Sequence, residues 1–437
     1  MQRLIFAVFI LCVAVFPRPA SAVPAFARKT GLSCTACHEA WPRLNEFGQQ
    51  FRDNGYRLRQ GKDAPEEQHP GYWPIAFRTT AGYQLLRQTL VPTDSGPQTT
   101  QTGTFGFTGL DILTAGTLGD KISFNVTYTP GLASAGFGLS PSNGNLESAW
   151  VGFHDLLGST WLNTRIGKHA PDLPQDEHRT LTLTQGYNIY HFHAPGSAST
   201  FEPGSNQVGI EFYGHDALSR LRYSVSLVNE NDAPASNNLI STPAVWAHVQ
   251  GTKHFENDVL PAVKLGLFGA VGWHPTVSST LTDSTNNVAP VQGTWSGGKP
   301  FRRFGAEAHL YFLNSLFPLT ASGVFFYGTE DQGLIAAGTS DARFAGGWGE
   351  LTYTPTINLV FLARYEKIQM LDQGTQGAFA DLGNTSVFTA AVRYTIEVSN
   401  RAEVAAHFEL SSATRVVDSS GNDPNTLTGL LAIDFIY

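Results

Sequence analysis

Cysteine is scarce in this chain: 437 residues hold three. One of them, Cys12, lies in an apolar N-terminal stretch, which leaves Cys34 and Cys37. So few thiols exclude a disulfide-built scaffold. A zinc site would need a second ligand pair of similar spacing, and no further cysteine exists to supply one. Apolar runs long enough to span a bilayer as a helix are missing too, since the stretch Leu4–Phe16 is too short. Charged residues make up 15% of the chain against a usual ~25%. Acidic residues outnumber basic ones, 36 to 28, for a formal charge of -8, which argues against a nucleic-acid partner. No grouping of acid, base and nucleophile points to hydrolysis or group transfer.

Residues 1–22 have the pattern of a secretory signal peptide. Arg3 forms the basic end, Leu4–Phe16 the apolar centre, and Ala20-Ser21-Ala22 the A-x-A cleavage site. Cleavage would remove Cys12, and the loss of Arg3 and Arg18 would take the formal charge from -8 to -10. The protein is expected to be exported.

The most informative stretch follows at Ser33-Cys34-Thr35-Ala36-Cys37-His38. Two cysteines spaced C-x-x-C and followed directly by histidine form the attachment signature of a c-type haem. Two thiols with a two-residue spacer match the separation of the two porphyrin vinyl groups. His38 then falls beneath the iron as proximal ligand. A chance disulfide or half a zinc site are the other readings of such a pair. One covalent haem c on Cys34 and Cys37, with His38 as metal ligand, is the expectation.

Residues 23–75 form a small haem segment and linker. Leu44, Phe47 and Phe51 recur at helical spacing and would cover one haem face. Asn54-Gly55 reads as a helix stop, and Lys62–Pro74 as a turn-rich linker. About fifty residues cannot enclose much of a core alone, so the haem or an enclosing neighbour must supply apolar contact.

From residue 76 to 437 the pattern changes to period two. In Phe388–Val398 the apolar set Phe388, Ala390, Val392, Tyr394, Ile396 and Val398 alternates with Thr389, Ala391, Arg393, Thr395 and Glu397. Such strands suit either a soluble barrel or sandwich, or a membrane barrel whose apolar face meets lipid. Connection lengths decide. Short turns at Gly116–Asp120, Asp155–Ser159, His215–Ser219, Asn314–Phe317, Thr354–Asn358 and Val398–Asn400, with a longer one at Thr252–Val259, alternate with long polar loops. Eight loops and seven turns imply sixteen antiparallel strands with both ends on the short-turn side. The last strand ends on Tyr437. This is the pattern of an outer-membrane barrel, so the fold class is all-β, placed in the bacterial outer membrane.

Strand parity turns Arg220, Arg222, Glu211, Arg303, Glu307, His309, Arg364, Glu366, Arg393, Glu397, Glu403, His407 and Glu409 inward. At mid-depth in lipid each charge would cost a few kcal/mol. They must therefore line a wet or protein-filled lumen. About ~16 strands make a barrel wide enough for an aqueous channel or for the haem segment. The third and longest loop, His169–Ser205, carries His169, His178, His191 and His193 with Asp172, Asp176 and Glu177. It is either a polar external loop or a segment folded inward that brings histidines to a metal.

Together, Pro24, Phe26, Ala27, Arg28, Cys34, Cys37, His38, Pro42, Leu44, Asn45, Gly48, Phe51, Asn54, Gly55 and Tyr56, placed before a sixteen-stranded porin, resemble the fused monohaem cytochrome–porin family. The resemblance covers the whole chain as architecture and residues 23–56 as motif. It implies an outer-membrane iron(II) oxidase, an oxidoreductase that takes electrons from extracellular Fe(II) and passes them to a soluble periplasmic cytochrome. Porins of this size are often homotrimers. The other readings are a diffusion porin with a haem-bearing plug, and a conduit that exports electrons. For the sixth iron ligand the candidates are Met370, His69, His178 and His193.

Overall fold

The structure, a computed structural model, describes residues 24–32, 34–40, 42–58, 68, 74–91, 96–107, 110–130, 144–195, 201–229, 242–274, 280–282, 288–290, 299–314, 317–330, 341–374, 381–398, 402–417 and 423–437. The signal-peptide residues and His69 lie outside these. Seventeen strands pair in sequence order into a closed antiparallel barrel. Two of them, Gln98–Phe107 and Asp111–Leu118, pair with the same strand, Ile75–Val91. They are halves of one stave, so the wall has the expected 16 staves.

The barrel closes where Asn425–Ile436 meets Ile75–Val91, from Asn425 opposite Thr89 to Ile436 opposite Arg78. Tyr437 and Phe77 exchange backbone hydrogen bonds of 2.8 and 2.7 Å, so the terminal aromatic seals the seam. The sheet thus closes on itself, as lipid requires of spanning strands. Among the described residues the strand ends fall at the expected turns and loops. The fifth loop adds a small hairpin, Thr280–Thr282 against Val288–Pro290, that alternation did not reveal.

The strand Leu359–Asp372 illustrates why the sequence folds this way. Val360, Leu362, Arg364, Glu366, Ile368 and Met370 are buried, while Phe361, Ala363, Tyr365, Lys367, Gln369 and Leu371 face out. The outer face elsewhere presents Leu265, Leu267, Phe304, Phe325 and Leu351, each more than half exposed in the isolated chain. An apolar belt of this kind stays out of water only in a membrane. Among the described residues no helix is long and apolar enough to cross one.

The lumen is filled with protein. The third loop, between the strands ending at His169 and starting at Gln207, folds inward. Its Leu173, Tyr187, Ile189, Tyr190, Phe192 and Phe201 form one buried cluster with Trp246, Phe268, Phe301, Phe326, Phe344 and Trp348 from the wall. Of the two readings of this loop, the external polar one is thereby excluded. Three of the inward charges are receptors for its backbone, while others, such as Arg393 with Glu403 and Asp434, pair with each other across the wall. Glu366 accepts from the Ile189 and Asn188 amides at 2.7 and 3.0 Å, and Glu409 from Leu183 at 2.6 Å. Arg364 donates to the Gln185 and Gly186 carbonyls at 2.7 Å. A loop without a regular ladder must satisfy its amides somewhere, and charged partners do so strongly.

Candidate functional site

The N-terminal helices Pro24–Thr30, Cys34–Cys37 and Glu46–Asp53 sit in the turn-side part of the lumen. The single turn Cys34–Cys37 cannot satisfy its own C-terminal carbonyls. Asn45 does so, its side-chain amide donating to Ala36 O at 3.1 Å and its backbone N–H to Cys37 O at 3.0 Å. The other end of the Asn45 side chain caps the next helix, accepting from the Gly48 amide at 2.9 Å. Gly48 is required here, because a Cβ would stand 2.0 Å from Cys37 O. One asparagine and one glycine thus lock the haem motif to the helix behind it.

This cap corrects one expectation. The helix starts at Glu46, so Leu44 belongs to a short strand pair, Arg43–Leu44 against His38–Ala40, and Phe47 is 39% exposed. The stripe Leu44–Phe47–Phe51 is not one helical face. Instead Leu44, Gly48, Phe51 and Arg52 face a common cavity.

At the segment's end, Asn54 closes the helix and Gly55 and Tyr56 both adopt left-handed backbone, φ 68° and 62°. That reversal, costly for tyrosine, turns the Tyr56 ring onto Phe26 and Phe51 at 4.8 and 5.9 Å and onto Trp150 of the wall at 6.0 Å. Gly55 presses against His154, whose ring is held by Ser123 Oγ at 2.6 Å and Tyr213 OH at 3.0 Å. Charge secures the rest. Arg43 pairs with Glu350 and donates to Thr352 at 2.9 Å. Asp53 meets Arg222 at 3.2 Å, and Arg57 meets Asp155 at 2.8 Å. Of these long-range partners only Arg222 stands among the residues that strand parity turned inward; Glu350, Thr352 and Asp155 were not singled out from the sequence.

The cavity between segment, wall and third loop contains about 1200 Å³ of atom-free space, its open mouth included. Cys37 and His38 line it, as do Phe26, Phe51 and Tyr56. The closing strands contribute Ala76, Arg78 and Ile436, and the third loop His178 and Arg179. Cys37 is a free thiol, pushed up to about 11 by burial. Cys34 shares its helical turn. His38 Nδ1 lies 3.1 Å from Pro42 O, which fixes the tautomer with a lone pair on Nε2. Burial, with Arg179 adding positive charge, lowers His38 to about 4 and keeps it neutral. The Cys37 thiol, a neutral imidazole with one free nitrogen, and a largely apolar cavity beside them form a donor set that fits a covalently held haem. When bound, that group supplies a one-electron carrier.

The other expected ligands separate. Met370 lies in the loop-wall core, away from the cavity, for its outer strand end packs against the loop. His193 is engaged by Glu202 at 3.0 Å. The acidic residues of the third loop are turned inward: Asp172 to Arg222 at 3.0 Å and Asp176 to Arg179 at 3.0 Å and Arg52 at 3.4 Å. Among the described residues no group of three or more His, Cys, Asp or Glu is placed to hold a metal ion.

No family model and no curated protein matches this sequence. The fold is similar to that of the anion-selective porin from Comamonas acidovorans, with TM-score 0.52, 9% identity, and coverage of 83% of this chain and 99% of that one. Salmonella typhi OmpF in complex with daunomycin aligns at 12% identity and TM-score 0.47, covering 83% of this chain and 94% of that one. The protein is a porin-like barrel of the bacterial outer membrane.

Proposed function

We propose that this chain is an outer-membrane electron conduit that carries one c-type haem on Cys34 and Cys37, with His38 as proximal ligand. The observation that carries the reading is the placement of Cys37 and His38 on a cavity inside a barrel whose lumen is already filled by its own third loop. Electrons cannot cross a ~30 Å hydrocarbon core unaided, and a carrier at the turn-side end of the lumen shortens the gap to a periplasmic acceptor. Asn45 and Gly48 position the motif, Pro42 O orients His38, and the Phe26–Phe51–Tyr56 cluster excludes water from one side.

The resemblance stated above supports Fe(II) as external donor and a soluble cytochrome as acceptor, with one electron passing per Fe(II) oxidised. The size of the barrel, common among trimeric porins, supports grouping into trimers. Anaerobic mixing of the oxidised, purified protein with Fe(II) tests the donor: reduced-haem absorption bands should appear at the organism's growth pH. Reduction by dithionite alone would remove iron as donor and leave the conduit. Planar-bilayer recording tests the conduit against a diffusion pore, which the filled lumen disfavours: conductance should be far below that of an open porin.

A further inference from the structure

We propose that the third loop supplies the second axial ligand of the haem through His178, so that the lumen plug is also half of the iron's coordination. The inference rests on the haem reading above. Three observations lead to it. His178 lines the same cavity as Cys37 and His38, although it arrives from the opposite, loop side of the lumen. It also lines a second cavity that shares Arg52, Tyr56, Arg78 and Arg179 with the first, so it stands where the two meet.

Its ring is also presented as a ligand is. His178 sits in the single helical turn Glu177–Arg179, capped by Asp176, whose Oδ1 accepts from the His178 amide at 3.0 Å. The same carboxylate oxygen faces His178 Nδ1 at 3.6 Å. A carboxylate behind Nδ1 is the usual companion of a metal-bound imidazole, because it fixes the tautomer that leaves Nε2 for the metal. Asp176 is itself anchored by Arg52 from the haem segment and Arg179 from the loop. Nε2 meets the Asn206 side-chain amide at 2.9 Å in an exposed contact that a stronger Lewis acid displaces.

Finally, the rivals among the described residues are committed elsewhere. Met370 is sealed beneath the loop beside Phe344 and Phe192. His191 and His193 flank Glu202 at 3.2 and 3.0 Å. His169 has a buried Nε2 without a hydrogen-bond partner, but it lines only the second cavity. It is the control.

The test uses the full-length protein purified in detergent with its haem attached, and reads near-infrared magnetic circular dichroism and electron paramagnetic resonance of the oxidised form. Wild type should give a bis-imidazole spectrum. His178→Ala should lose it and regain it on adding free imidazole. His178→Met should give the histidine–methionine signature and a higher midpoint potential. His169→Ala, His193→Ala and Met370→Leu should leave the spectrum unchanged, with heat-modifiable gel mobility confirming that every variant folds. A bis-imidazole spectrum that survives His178→Ala, a methionine signature in wild type, or loss of the signal in His169→Ala instead would each overturn the assignment. Absence of covalent haem from wild type would overturn the underlying haem reading, and that result is read separately on a haem-stained gel.

Discussion

Two pieces of chain fill the lumen, and they are held in different ways. The third loop brings its own core: Tyr187 packs on Trp348 at 4.6 Å, Phe192 on Phe344 at 4.8 Å and Phe201 on Phe301 at 5.1 Å. The N-terminal segment has one small aromatic cluster and otherwise touches the wall through ion pairs around a cavity. Each fully buried aromatic contributes a few kcal/mol, whereas in the segment's buried pairs, Arg43–Glu350 and Asp53–Arg222, desolvation offsets much of the attraction. The loop therefore carries a large apolar core of its own, while the segment's few apolar groups line a cavity.

That contrast can be broken by substitution. The largest effect is expected in the loop core. Trp246 is fully buried, and its indole Nε1 donates to Asp172 O at 3.1 Å. Trp246→Ala should cost about 3–5 kcal/mol and lower the temperature at which the barrel loses its compact gel mobility, with or without haem. The double variant Cys34→Ala, Cys37→Ala should do the reverse, leaving that temperature nearly unchanged while haem staining vanishes and the segment becomes protease-sensitive. Equal effects of both variants on the barrel would remove the distinction.

Next in size is Asp172→Ala. This loop carboxylate meets Arg222 and His248 at 3.0 Å and Arg52 at 3.8 Å, so it joins loop, wall and segment. Burial opposes its charge, but Arg222 and His248 hold it well below the usual carboxylate range. Removing it strands buried cations, typically at a cost of 3–5 kcal/mol. Single-channel conductance should rise as the loop loosens, and a trace identical to wild type would count against the loop as the plug.

Gly48→Ala is the sharper probe of the segment. Its Cβ cannot coexist with Cys37 O, so the motif must shift by several tenths of an ångström or more. Covalent haem per barrel should fall severalfold on a stained gel while barrel mobility holds.

The smallest effect is one of pH. Hydrogen bonds to Glu177 and Glu202 outweigh burial and raise His191 to about 9, while its bonds to His191 and His193 depress Glu202. The histidine contribution is complete below about 6.5 and lost as pH rises through about 9. The carboxylate contribution is complete above 4.5 and lost as pH falls below it. Amide exchange around residues 188–194 should be slowest between those limits and quicken at pH 10; a flat profile would mean that this exposed pair contributes nothing.

The barrel was legible because its rules are local. Alternation along Leu359–Asp372 and the spacing of turns follow from lipid outside and protein inside, and need no knowledge of distant residues. The Asn54-Gly55 helix stop was legible for the same reason. What could not be read were pairs brought together by closure. Arg43 and Glu350 are 307 positions apart, and nothing near either marks the other. The inward turn of the third loop was hidden because its histidines and acids suggest a solvated surface, while Tyr187, Ile189, Tyr190, Phe192 and Phe201 lack the period of any regular element. The helical stripe at Leu44 failed because a single cap, Asn45, outweighed the spacing.

The seam of the barrel has one more consequence, for chronology. Ala76 and Arg78 from the first strand and Ile436 from the last face the cavity on either side of the closing pairing. The chamber therefore does not exist until the two ends of the sheet meet, and afterwards the third loop covers it from above. On the haem reading proposed above, attachment to Cys34 and Cys37 is expected to precede closure of this seam. Barrels refolded without haem should refuse it later, even when supplied with the attachment machinery. In this protein the order of manufacture is written into the position of a seam.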